Sequence, residues 1–212
     1  MKKPGIAIVG CGRLGTNLGS HLARAGYPLV GLASKSLTSA KEAAGIIGTD
    51  RYGEPPWAMT QSADVVFITT PDGIIAEAFQ SLSDHNGFKP GAVVLHCSGA
   101  HPSTLLSAAG DPDVFRGSMH PLQSFASKSM PGNPFEGVVI SVEGTTEAIA
   151  AASKIAEDLG GRCITLPTRG KTLYHAAAVV ASNYLVTLMH LACHFMDTAG
   201  IPRGEAFNIL KP

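Results

Sequence analysis

Apolar residues along the chain fall into two rhythms. Short, largely apolar runs at 6–9, 29–33, 64–69, 92–97, 114–118, 137–142 and 162–166 have the length of strands, and most have the unbroken character of strands buried on both faces. Between them the period turns helical. Leu14, Leu18, Leu22 and Ala25 follow the first run; Ile74, Ile75, Ala78, Phe79 and Leu82 follow the run at 64–69; an alanine-rich stretch covers 145–159. Ser39-Ala40-Lys41-Glu42 has the form of a capping box and predicts the start of a short helix. Residues 49–60, with Pro55, Pro56 and Trp57, read as an irregular connection with room for one short strand. The alternation predicts an α/β fold with a doubly wound, mostly parallel sheet and an antiparallel strand near its far edge.

The pattern changes after Pro167-Thr168. Residues 171–198 read as one long helix, Gly200-Ile201-Pro202 as a turn, and 204–210 as the start of another helix. The expected organisation is a sheet domain over 1–167 and the start of an all-α domain over 168–212, cut short at its end. Residues 176–193 are apolar and carry no Asp, Glu, Lys or Arg, but they include Ser182, Asn183, Thr187 and His190. This segment reads as a helix buried between domains or subunits, and no membrane is expected as a partner. An apolar helix without a core of its own needs cover, so a homodimer through the C-terminal helices is expected.

The first apolar run passes at once into G-x-G-x-x-G, with Gly10, Gly12 and Gly15 in the glycine positions and Arg13 and Leu14 between the last two. Gly10 permits a tight turn, Gly12 lets a pyrophosphate approach the backbone, and Gly15 lets helix and strand pack closely. The unpaired N–H groups of that helix would then face the phosphates. With a strand before the loop and a helix after it, the motif predicts a dinucleotide site. The second run ends at Ser34-Lys35-Ser36, where sites specific for NAD place an Asp or Glu on the ribose 2′-hydroxyl. Two hydroxyls and an ammonium suit a 2′-phosphate instead, with Arg13 as a second cation. The expected cofactor is NADP rather than NAD. Ligands of such sheets lie beyond the carboxyl ends of the strands, so Thr70-Pro71-Asp72 and Ser98-Gly99 are expected at the nicotinamide end.

Composition narrows this further. Sixteen basic residues balance sixteen acidic ones, which gives no reason to expect nucleic acid as a partner. Cys11, Cys97, Cys163 and Cys193 share no C-x-x-C spacing, as in a reduced, cytoplasmic protein. The N-terminal apolar run is too short for a signal peptide.

The glycine loop at the extreme N-terminus, Ser34-Lys35-Ser36, Thr70-Pro71-Asp72 and the long helix leaving the sheet together resemble the 6-phosphogluconate dehydrogenase-like superfamily. That group includes 3-hydroxyisobutyrate dehydrogenase, ketopantoate reductase, pyrroline-5-carboxylate reductase and the coenzyme F420-dependent NADP reductases. The stretches His120-Pro121-Leu122-Gln123-Ser124-Phe125 and Tyr174-His175-Ala176-Ala177-Ala178-Val179-Val180-Ala181-Ser182-Asn183-Tyr184 are similar to a bacterial family with a Rossmann-like domain joined to a C-terminal domain of unknown function. The resemblance covers essentially the whole chain and implies further helices beyond its end. Two members of the superfamily carry a Lys and an Asn one helical turn apart on the interdomain helix. Lys171 matches the lysine; His175 stands where Asn is expected.

The resemblance implies hydride transfer, which needs a proton donor near the developing charge. Lys171 is expected to supply that proton or clamp the charge, and His175 to donate a proton or orient the substrate. His120, Ser98 and Asn183 complete the expected catalytic set, with Gln123 and Ser124 as further polar contacts. His190, Cys193 and His194 lack the partners of a metal site, and no metal is expected. There is no G-x-S-x-G elbow and no G-K-[ST] ending to the glycine loop, which argues against a serine hydrolase and an NTPase. The expected function is NADP-dependent oxidation or reduction of a small polar metabolite held between the sheet domain and the helices. The alternative is a dinucleotide-sensing or partner-binding protein without chemistry.

Overall fold

A computed structural model describes residues 3–211. Its sheet has seven strands: β1 (Ile6–Val9), β2 (Leu29–Ala33), β3 (Val65–Ile68), β4 (Ala92–His96), β5 (Val114–Pro121), β6 (Val139–Gly144) and β7 (Arg162–Thr165). They lie in the order β2-β1-β3-β4-β5-β6-β7. The first five are parallel, β6 runs antiparallel to β5, and β7 is parallel to β6. The expected mostly parallel, doubly wound sheet is what the chain forms.

Strand parity explains why the central runs are apolar throughout. Ile6 and Ile8 of β1, Val65 and Phe67 of β3, and Val93 and Leu95 of β4 enter one core. Ala7, Val9, Val66, Ile68 and Val94 enter the other. The first core is closed by Leu18 and Leu22 of α1 (Arg13–Arg24) and by Ala148, Ala152 and Ile155 of α5 (Thr146–Asp158). α2 (Leu37–Ile47) contributes Ala43 and Ala44 to it. Beyond α3 (Pro56–Thr60), α4 (Ile75–Asp84) lays Ile75, Phe79 and Leu82 on the opposite face. Both faces of the sheet are therefore covered, which leaves the carboxyl edge of the strands for ligands.

Several boundaries differ from those read in the sequence. α2 begins at Leu37, with Ser36 rather than Ser39 as its cap; the Ser36 side chain accepts a hydrogen bond from the Ser39 N–H. The connection at 49–60 contributes only an isolated bridge from Tyr52 to Leu32, followed by α3. β5 runs on through His120 and Pro121, because β6 pairs with it there; His120 lies opposite Ser141 and Pro121 opposite Ile140. β6 starts later than expected and ends beyond Glu143.

The chain divides into two compact units at Lys171/Thr172. The second holds most of α6 (Lys171–Val179), a π-helical turn (Val180–Tyr184), α7 (Leu185–Thr198) and α8 (Arg203–Leu210). The expected single regular helix is thus interrupted by a wider turn, a feature common at functional sites. Thr168–Thr198 is a helical run of 31 residues whose most apolar window has a mean hydropathy of 1.5, long and apolar enough by length and composition to cross a membrane. Leu185, Val186, Leu188, Phe195 and Phe207 are exposed in the single chain.

Candidate active site

The glycine loop is held by its own backbone. Gly10 has φ +110°, and a Cβ there would fall 2.7 Å from the carbonyl carbon of Thr69 and the nitrogen of Thr70. A Cβ on Gly15 would fall 2.5 Å from Thr69 Oγ1. Thr69 therefore locks the turn, and its hydroxyl donates to the Gly10 carbonyl at 2.7 Å. Gly12 is different: a Cβ there would meet nothing within 4 Å. It is the N-cap of α1, no side chain caps the helix, and no acidic residue lies in its first turn. Free N–H groups beside open space fit a diphosphate.

The other expected cofactor residues line the same edge. Ser34 Oγ accepts from the Cys11 N–H at 3.4 Å. Lys35 and Ser36 are exposed, and the Ser36 hydroxyl is engaged with Ser39 at the head of α2. Arg13 is exposed and reaches the Ala126 carbonyl at 3.5 Å. Leu14 packs on the core below. Asn17, buried on α1, donates to the Ser127 carbonyl at 2.8 Å and accepts from the Met130 N–H at 3.1 Å. The segment after β5 is thereby tied to the helix that follows the glycine loop. Thr70 Oγ1 is buried without a hydrogen-bond partner among the described residues, next to the exposed Pro71 and Asp72.

At the ends of β4, β5 and β6 the interior turns polar. Lys171 is fully buried, and its Nζ hydrogen-bonds Ser118 Oγ on β5. Glu143 on β6 lies 3.9 Å from that ammonium, itself 1% exposed. Ser103 holds the Glu143 carboxylate twice, through its N–H and its hydroxyl, each at 2.7 Å. Burial pushes the Lys171 amine down to about 8, while Glu143 first, then Cys97 and Asp72, favour its charged form. Asp72, from the turn after β3, is thus within electrostatic reach of Lys171.

His96, fully buried at the end of β4, accepts from the Ser98 N–H through Nδ1 at 3.2 Å, so it is the neutral tautomer with its proton on Nε2. Burial holds it down to about 3; the charge of Lys171 adds to this, the Pro102 carbonyl opposes it, and His101 and His120 contribute less. Burial likewise pushes the Cys97 thiol up to about 12, against the pull of Lys171. Ser98 Oγ accepts from the N–H groups of Ala100 and His101, each at 3.2 Å, and so shapes the turn after β4, with Gly99 buried inside it.

Lys171, Ser98, His120 and Asp72 are thus gathered at one edge of the sheet. Gln123 and Ser124 are exposed beyond β5. His175 lies one turn after Lys171 on α6, in the second unit, and Asn183 lies there too, exposed, in the π-helical turn. Thr69, Ser103, Ser118 and Glu143 were not singled out in the sequence. For Glu143 a signal was present: it is an acid at the end of a largely apolar run.

A parallel sheet carrying a glycine loop at its first strand–helix turn defines a Rossmann-like protein. Residues 2–121 match the Rossmann-like domain family, to which the chain belongs, and residues 138–212 match a domain of unknown function, DUF2520. No curated protein matches the sequence. Among solved structures, a presumed NADP oxidoreductase from Bacteroides fragilis has a TM-score of 0.78 at 24% identity, over 99% of this chain and 78% of that one. Protein TM1727 from Thermotoga maritima has a TM-score of 0.69 at 28% identity, over 92% and 70%. A semialdehyde dehydrogenase NAD-binding protein from Cupriavidus necator, solved with calcium and NAD, has a TM-score of 0.77 at 20% identity, over 98% and 79%. The likeness to these structures is one of fold.

Proposed function

We propose that the chain is an NADP-dependent oxidoreductase acting on a small polar metabolite. The observation that carries this reading is a buried lysine, in contact with Ser118 and beside Glu143 at the end of the sheet's strands, in a domain whose glycine loop leads into the uncapped N-terminus of α1. Gly10, Gly12 and the first N–H groups of α1 would hold the diphosphate. Ser34 and Lys35 would hold the 2′-phosphate, with Arg13 beside them. The nicotinamide supplies or accepts the hydride when bound.

The protein's part is to bind, orient and move a proton. The Lys171 ammonium stabilises negative charge developing on a substrate oxygen and can give it a proton. Ser118, in contact with Lys171, is the hydroxyl through which such a proton could pass. His120 and Ser98 would contact the substrate's polar groups.

The test is a thermal-shift comparison of the protein alone, with NADP(H) and with NAD(H), followed by a metabolite screen that follows nicotinamide absorbance. A ligand at a hundred times its Kd adds about 2.7 kcal/mol. Lys171→Ala should lower turnover while sparing cofactor affinity, and unchanged turnover would remove Lys171 from the mechanism. One observation favours a second reading, a dinucleotide sensor: the Lys171 amine is sealed and already paired. That reading expects cofactor binding and no hydride transfer with any metabolite.

A further inference from the structure

A buried amine has two chemistries open to it. Left without a counter-charge it sheds its proton and becomes a nucleophile that condenses with carbonyls. Paired with a carboxylate it stays a cation and serves as a clamp and proton donor. Which of these Lys171 can do is decided by the residue opposite it.

We propose that Glu143 is a positioning residue for Lys171, clamped by Ser103 so that its carboxylate holds the ammonium on Ser118 at the carboxyl edge of the sheet. The inference rests on the reading of Lys171 as the group that acts on substrate. Three features of the geometry support it. Glu143 is the one charged residue of β6, whose other buried members are Ile140 and Val142, which are core, and the small polar Ser141. Its two oxygens are taken by one residue, Ser103, whose N–H and hydroxyl both donate at 2.7 Å, which fixes the plane of the carboxylate. The Lys171 Nζ then lies 3.9 Å from Oε1 while it hydrogen-bonds the neighbouring strand at Ser118.

A buried pair of this kind is a poor device for stability, because desolvating both charges offsets most of their attraction. A buried charge pair next to open strand ends is more economically explained as a means of keeping one amine charged and in place. The groups that face it from the surrounding elements do not compete: Asp72 after β3 also favours the ammonium, and the Cys97 thiol and the His96 ring, both neutral, bring no opposing charge. The substrate class that follows is one that bears or develops negative charge on oxygen at this point, such as a carboxylate or a carbonyl being reduced.

The experiment follows the Lys171 amine directly, in the absence of any substrate. Lysine-labelled protein is titrated by NMR from pH 4 to 11, with the Lys171 signal identified from its loss in Lys171→Arg. In Glu143→Gln the midpoint should fall by about one to three units relative to the unmodified chain. In Glu143→Asp, which keeps the charge, most of the midpoint should return. A midpoint unchanged in folded Glu143→Gln would overturn the proposal. Should Glu143→Gln fold poorly, the double variant Glu143→Gln/Lys171→Met decides: recovery of its melting temperature shows that the uncompensated ammonium was the fault, and no recovery counts against the pairing. NADPH binding by the unmodified chain is measured alongside. Failure there removes the oxidoreductase reading and leaves the midpoint to judge Glu143.

Discussion

A Cβ atom on Gly15 would lie 2.2 Å from the carbonyl oxygen of Gly10, five residues back across the turn. Neither backbone can yield, because Gly10 is itself pressed against Thr69 and Thr70. Gly15→Ala should therefore strain the core side of the loop, at a cost of about 1–3 kcal/mol, seen as a lower denaturation midpoint. Gly12 is the complementary case. Its Cβ would project into open space, so Gly12→Ala should cost less than about 1 kcal/mol, the difference between Gly and Ala as a cap. Its effect should fall on NADPH, whose affinity should drop about tenfold or more as the methyl occupies the place of a phosphate. A Gly12→Ala variant that binds NADPH as tightly as the unmodified chain would show that the loop is not the cradle.

Asn17 ties the segment after β5 to α1. Its amide donates to Arg13 and Ser127 at 2.7 and 2.8 Å and its oxygen accepts from Met130 at 3.1 Å, all while nearly buried. Asn17→Ala leaves the Ser127 carbonyl and the Met130 N–H without these partners, which should cost about 1–3 kcal/mol. The loss should be local as well as global. Hydrogen exchange at the Met130 amide should accelerate before that of β1 or β3, whose amides open only with the sheet. Equal protection at Met130 in both proteins would mean that the segment is held by other contacts.

Most of the loop proposed to hold the cofactor was legible along the chain, because it is backbone chemistry written in consecutive residues. Gly10, Gly12 and Gly15 announce a turn that side chains cannot enter, and the parity of Ile6 to Val9 announces a strand with two buried faces. The polar group around Lys171 was harder to see. Ser118 and Lys171 are 53 residues apart and Ser103 and Glu143 are 40 apart, so only the folded sheet brings them together. Glu143 was also hidden by a strand boundary: a run ending at 142 stops one residue short of the acid. The same long-range pairing extended β5 through Pro121, where β6 lies alongside it. The start of α2 was misread for a local reason. Ser36 and Ser39 are both able caps, and the helix begins at the first of them, as soon as the chain leaves β2.

His96 makes the stability of the fold depend on acid. It is neutral in the folded chain down to about pH 3, whereas in the unfolded chain it takes a proton near its ordinary value of 6.5. Between these values the unfolded state binds more protons, so stability rises with pH and is lost as the solution is acidified. At pH 5 the loss assigned to this residue is about 2 kcal/mol, from one and a half units below its ordinary value. Unfolding by urea at pH 7 and pH 5 should show it, and His96→Gln should flatten that part of the profile. A variant with the same acid sensitivity as the unmodified chain would place the effect on other groups.

Lys35 should decide between the two nicotinamide dinucleotides. It stands at the end of β2 between Ser34, which accepts from the Cys11 N–H, and Ser36, whose hydroxyl is committed to α2. That leaves the ammonium as the group best able to answer a 2′-phosphate, and no carboxylate occupies the Ser34-Lys35-Ser36 stretch to prefer a 2′-hydroxyl. Lys35→Glu should lower NADPH affinity about tenfold or more, since an attraction becomes a repulsion, while NADH affinity should hold or improve. The preference of the unmodified chain should also shrink as salt is raised, because Lys35 is exposed and its charge is screened. Fluorescence titrations with both dinucleotides at low and high salt measure the ratio directly. A ratio indifferent to Lys35→Glu and to salt would move the reading of the ribose elsewhere on the loop, with Arg13 the next cation to change.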